Sequence, residues 1–173
     1  MTSGPTKRQL FLYSDQEHCL SVYGNTVLSF SLQPPNPRYL AAWTAAMERL
    51  AKKRSDSRIS VLTVVDGSCR PPDDASKKAI RNTIIQHSNE IGAFAYVIEG
   101  DGFGAAAVRS AVTLISLVAR YPFPQKVFKE VGPACLWTLD RVPPAAEQGT
   151  TAAGMMAAIK TMRSQVRQLA ATG

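Results

Sequence analysis

Along this chain the hydrophobic positions change period most clearly between Ala95 and Arg120, AYVIEGDGFGAAAVRSAVTLISLVAR. Ala95–Glu99 reads as a buried strand, Gly100, Gly102 and Gly104 as a glycine-rich turn, and Phe103–Arg120 as a long, mostly apolar helix. A strand that enters a helix through glycines presents backbone N–H groups to whatever lies above an α/β sheet. On the helix, Arg109, Thr113, Ser116 and Arg120 recur at spacings of four, three and four, which makes one narrow polar stripe. A helix packed by one face alone shows a wider polar arc. A neighbouring helix or a second subunit is therefore expected on another side, and the four stripe residues are candidate interface positions. The run falls short of the ~20 apolar residues a membrane span needs, and Arg109 interrupts it.

Other elements follow from the same reading. Leu10–Tyr13 is a short strand or entry segment, and the runs Cys19–Tyr23 and Thr26–Leu32 flank Gly24-Asn25 as a hairpin. Asn36 followed by Pro37 is a helix start, with Leu40, Trp43, Met47 and Leu50 on one face and Lys52, Lys53 and Arg54 at the negative end of the dipole. Ser57–Val65 carries a β-branched run suited to a strand covered on both faces, closed by Asp66-Gly67. Pro71-Pro72-Asp73-Asp74 opens a helix with the apolar stripe Ile80, Ile84, His87 and Ile91. A short strand is expected around Lys126–Phe128, and Gly132-Pro133 starts a helix that includes Ala134, Trp137 and Leu139.

The order β-β-α-β-α-β-α-β-α predicts an α/β fold. Its mixed sheet opens with a β-hairpin and continues parallel, through right-handed crossovers. Residues 1–9 read as a flexible lead, 10–142 as the α/β domain and 143–154, rich in Pro, Ala, Gly and Thr, as a linker. Over 155–171 the positions Met155, Ile159, Met162, Val166 and Leu169 form the apolar seam of an amphipathic helix too short to be stable alone, so it must dock in cis or in trans. These five are also candidate interface residues.

Composition narrows the classes. Hydrophobic content of 45% argues for a globular chain, and the net charge of +7 suits acidic partners. The excess is spread along the sequence. Its densest patches, Lys52, Lys53, Arg54 and Arg58, then Lys77, Lys78 and Arg81, lack the interleaved aromatics that stack on bases, which argues against nucleic acid. Cys19, Cys69 and Cys135 are odd in number and without CxxC spacing, which points to reduced thiols in a cytoplasm and to no zinc site. The first residues carry no apolar segment of the signal-peptide kind.

From Cys19 to Val142, three features together resemble the STAS fold and its SpoIIAA-like branch. They are the opening hairpin, the strand VIEG entering a helix through GDGFG, and the run VFKEVGPACLWTL with Phe128, Glu130, Ala134 and Trp137. The resemblance implies a regulatory or scaffolding module that is not an enzyme, and for some members a small anionic or lipid-like ligand. It also implies a phosphorylatable Ser or Thr at the turn before the third helix in the anti-sigma-antagonist members. Here that turn is Gly100-Asp101-Gly102-Phe103-Gly104 and the first hydroxyl after it is Ser110, so the switch is expected to be absent.

Gly100, Asp101, Gly102, Phe103 and Gly104 are the candidate ligand-binding residues, weighed against a plain tight connection that needs glycine dihedrals. The turn does not fit a dinucleotide fingerprint, because its third glycine comes one position early and no acid follows at the ribose distance. Asp66, Glu99 and Asp101 fall at strand ends and leave Mg²⁺ open as a ligand, against solvated loop acids. His18 and His87 lie on different elements with no nucleophile beside them, so no catalytic residue and no cofactor is assigned. The expectation is a non-catalytic interaction module that self-associates, most simply as a homodimer, with a small-ligand sensor at the GDGFG turn as the alternative.

Overall fold

The computed structural model describes residues 9–53, 58–144 and 149–172. The N-terminal lead before Gln9, the expected helix end at Arg54, the strand start at Ser57 and part of the 143–154 linker lie outside the described residues.

Strands β1 (Gln9–Ser14), β2 (His18–Tyr23) and β3 (Thr26–Ser31) form an antiparallel meander, and β4 (Ile59–Val65), β5 (Ile91–Ile98) and β6 (Gln125–Phe128) continue in parallel. The sheet order β1-β2-β3-β4-β5-β6 follows the chain. Gly24, with φ 62°, lets β2 turn tightly into β3; Asn25 keeps negative φ, the combination found in a type II′ turn.

Helices α1 (Pro37–Lys53), α2 (Asp74–Gln86) and α3 (Phe103–Ala119) make the parallel crossovers. Asn36 caps α1 by accepting the Tyr39 N–H at 2.8 Å, and Asp73 caps α2 by accepting the Ser76 N–H at 2.7 Å. The stripe expected on α2 runs too far. Ile91 belongs to β5, because the helix ends at Gln86 and His87 terminates it with its N–H on the Ile84 and Ile85 carbonyls. The central strand likewise begins at Ile91, four residues before Ala95, since Ile91 pairs with Ile59 and, past an irregularity in the register, Ala93 pairs with Ser60.

Crossovers of one hand in a sheet whose order follows the sequence place every crossover helix on the same face. Here α1, α2 and α3 share one core with Leu20, Val27, Val61, Phe94 and Ile98. The other face, with Leu28, Phe30, Leu62, Val64, Ala95 and Val97, would stay bare without α4 (Val131–Arg141) and α5 (Ala152–Thr172). Helix α4 lies against β4, β5 and β6, and α5 against β1, β2 and β3. The tail helix thus docks in cis. Met155, Ile159, Met162 and Val166 are sealed in the second core, each contributing about 1.5–3 kcal/mol by burial.

Candidate functional site

The GDGFG turn lies at the carboxyl end of β5, as expected, and it is exposed. Only Gly100, with φ 83°, needs the freedom of glycine. Gly102 is the α3 N-cap in extended conformation, and a Cβ at Gly102 or Gly104 would meet nothing within 4 Å. No side chain caps α3, so its first N–H groups face outward. Phe103 is 93% exposed, and Asp101 reaches across to Lys129 Nζ at 2.6 Å. The Lys129 hydrogen bond and charge hold the Asp101 carboxyl below its usual range.

The polar stripe on α3 faces a different way from the one its pattern suggested. Arg109 Nη1 donates to the carbonyls of Ile98 at 3.2 Å and Gly100 at 2.9 Å, closing the end of β5. Ser116 Oγ donates to Gln125 Oε1 at 2.7 Å, tying α3 to β6. Thr113 bonds the Arg109 carbonyl of its own helix, and Arg120 is the left-handed C-cap. Arg109 and Ser116 are therefore committed to bonds with other elements of the chain, and Thr113 and Arg120 to the helix itself. What α3 presents outward is apolar: Leu114 is 53%, Leu117 69% and Val118 58% exposed, beside the small residues Ala106, Ser110 and Thr113. The sequence pattern identified an unusually apolar helix but not which flank would be free, because that depends on α2 covering the other one.

Met155, Ile159, Met162 and Val166 need correction as interface candidates. All four are enclosed within the chain's own core, and of that seam only Leu169 reaches the surface.

The three strand-end carboxylates each meet a cation of the same chain. Glu99 receives both Nη atoms of Arg163 at 2.7 Å, and Arg163 also lies 5.0 Å over the Phe30 ring. Asp66 accepts from Ser68 and lies 3.8 Å from Arg167. Burial works to raise the Asp66 carboxyl, but the Ser68 hydrogen bonds and the Arg167 and Arg163 charges outweigh it and hold the group low. Among the described residues no cluster of His, Cys, Asp and Glu is placed to hold a metal ion.

His18 is buried, and its Nε2 faces the carbonyls of Gln33 (3.1 Å) and Pro34 (3.2 Å), which only accept, so Nε2 donates. Its Nδ1 lies 3.2 Å from Asp15 Oδ1, and its ring packs on Tyr39. His87 packs edge-on against Trp43. All three cysteines are buried and unpaired, and burial pushes their thiols up to about 12 (Cys19), 11 (Cys69) and 12 (Cys135). None of these side chains is presented as a nucleophile with its base.

A cavity of about 100 Å³ opens between α1, α2, α3 and the sheet, over the carboxyl ends of β3 and β4. The signal was present in β3 and β4, where Ser29, Ser31 and Thr63 point toward the crossover helices at positions where the rest of the sheet carries larger side chains.

Comparisons with protein-family models, with curated proteins and with solved structures return no match. No helix among the described residues is long and apolar enough to cross a membrane.

Proposed function

We propose that this chain is a non-catalytic interaction module that works through protein–protein contacts, and that its first partner is a second copy of itself meeting α3 against α3. The observation that carries this reading is the outward face of α3, where Leu114, Leu117 and Val118 are all more than half exposed. Contiguous apolar surface of this kind marks contact sites. Electrostatics favours the same face. A chain of net charge +7 repels its copies, and α3 has no charged residue between Arg109 and Arg120, so repulsion is least there. Ala106, Ser110 and Thr113 are small enough to let two helices approach, and a two-fold contact needs only one patch. The inaccessible thiols and the packed histidines support the non-catalytic part of the proposal. The unpaired cysteines support a reducing compartment such as the cytoplasm.

The STAS-like, SpoIIAA-like assignment belongs to the same proposal, supported by the hairpin that precedes the parallel units and by the GDGFG entry to α3. A reading as a sensor of small anionic or lipid-like ligands at that turn has the uncapped α3 N-terminus in its favour. NMR spectra across a dilution series test the primary proposal. Resonances of Leu114, Leu117 and Val118 shift with concentration if α3 is the contact, and concentration-independent spectra contradict it.

A further inference from the structure

We propose that the cavity beneath α1, α2 and α3 is a binding site for a small apolar carboxylate, its hydrocarbon part enclosed and its carboxylate at Arg70. The inference is independent of the outward α3 contact surface and concerns the inward face of that helix.

The floor of the cavity is set by the sheet register. One row runs Leu20–Ser29–Thr63–Tyr96 across β2 to β5, and the next runs His18–Ser31–Val65–Ile98. Nearer the amino ends of the parallel strands the matching row is Val22–Val27–Val61–Phe94, and there the core is filled. Ser31 and Thr63 line the space, with Ser29 beside them; serine fills less volume than valine or leucine would, and the valine-sized Thr63 less than leucine. Their own polarity is largely spent internally, since Ser29 Oγ donates to Thr63 Oγ1 at 2.9 Å. The walls and roof include Tyr39, Trp43, Ile84 and Val108, and Phe94 and Tyr96 of β5 complete the floor, so the space offers hydrocarbon and aromatic contacts and little else. An apolar void does not hold ordered water and takes apolar guests instead; one of ~150 Å³ admits benzene. At about 100 Å³ this one is smaller and suits a short branched chain, or a ring that extends toward the open mouth.

The cavity has a polar vestibule. A second hollow of about 290 Å³ adjoins it and shares Gln33, Pro34, Pro35 and Arg70 with it. Among the described residues Arg70 is the one charged residue that lines both. Glu17 and Asp73 line the vestibule alone, and Asp73 spends an oxygen on the α2 cap. The Arg70 side chain makes no hydrogen bond or ion pair among the described residues, although its charge acts on the Asp73 carboxyl, so its planar fork stands at the junction without a bonded partner. A carboxylate is the group that fork pairs with best. The starts of α1 and α2, at Pro37 and Asp74, also border the vestibule with their positive ends.

The mouth is held in shape. Pro34-Pro35 forms one lip and Pro71-Pro72 borders the other. His18 fixes the first lip through the Gln33 and Pro34 carbonyls, and Asp15 steadies His18. A preshaped mouth at the carboxyl ends of parallel strands is where ligands enter sheets of this class.

The test is calorimetry and protein-observed NMR on the full chain, with phenylacetate and 4-methylpentanoate as probes, phenylacetamide as the neutral counterpart and acetate as the headgroup alone. The two apolar carboxylates are expected to bind and to shift Trp43, Phe94 and Tyr96, phenylacetamide to bind more weakly, and acetate not to bind. Arg70→Ala should cost phenylacetate about tenfold in affinity while leaving phenylacetamide unchanged. Filling the space from half-buried lining positions, by Val112→Phe or by Ile80→Phe, should abolish binding of every probe in whichever variant keeps the wild-type fold by NMR. The inference is overturned if neither carboxylate shifts the lining residues, if Arg70→Ala weakens both probes equally, or if a filled and folded variant still binds.

Discussion

Arg163 on α5 grips Glu99 at the end of β5 through two hydrogen bonds of 2.7 Å, although the two residues are 64 positions apart in the chain. The pair ties the tail helix, which lies over β1, β2 and β3, to the end of the strand that feeds the GDGFG turn. Both side chains are about three-quarters covered, so neither charge is fully hydrated once its partner is lost. Arg163→Ala is expected to cost about 1–3 kcal/mol, between the values for exposed and for fully buried pairs. Arg163→Lys should recover only part of that, because an ammonium cannot reproduce the fork. Urea denaturation measures both, and a full recovery by lysine would show that charge alone matters.

How much of this could be read from the chain depends on whether the cause was local. The Gly24-Asn25 hairpin, the Asn36 and Asp73 caps and the doubly covered β4 each rest on a few neighbouring residues, and they stand where the sequence places them. Ile91 fits the α2 stripe equally well by spacing, and only its pairing with Ile59 in β4 assigns it to β5. The α5 seam is plain in the sequence, but its target is not. That a bare sheet face awaited it follows from all three crossover helices lying on the opposite side. The cavity was harder still, because Ser29, Ser31 and Thr63 gain meaning only when the register sets them side by side.

The glycines of the turn should separate by sign. Gly100→Ala forces a side chain into left-handed backbone and should cost about 1–2 kcal/mol. Gly104→Ala, in the first turn of α3 with open space around its Cβ, should stabilise by about 0.5–1 kcal/mol. Thermal denaturation of the two variants checks the pair, and equal losses at both positions would contradict the local geometry.

Helix α5 comes close to β2 at Gly154, where an added Cβ would fall on the Tyr23 hydroxyl. Gly154→Ala is expected to destabilise by about 1–3 kcal/mol through overpacking. Tyr23→Phe removes the oxygen, so the double variant should be less destabilised than the sum of the singles. Strict additivity in the cycle would show that the helix relaxes away instead.

Acid should loosen the Asp15 lip anchor. Burial acts to raise this carboxyl, but hydrogen bonds from the Tyr13 hydroxyl and the Glu17 and His18 N–H groups, together with the His18 charge, hold it below 3.8. A depressed folded value contributes stability above the unfolded one, and that contribution is lost as pH falls through the folded one. Asp15→Asn should therefore be less stable than wild type at pH 7 by about 1 kcal/mol, and the gap should close only as pH drops past 3.8 and below. Urea midpoints measured from neutral pH downward test this, and a gap that persists at the lowest pH would argue against the carboxylate.

The most direct test of the proposed function is sedimentation equilibrium of the wild-type chain beside the Leu114→Glu, Leu117→Glu double variant. Both positions are exposed, so the double variant is expected to fold and melt as the wild type does. The account predicts a reversible dimer for the wild type and a monomer for the variant at every concentration. A wild type that remains monomeric throughout, or a variant that dimerises as tightly as the wild type, would contradict it.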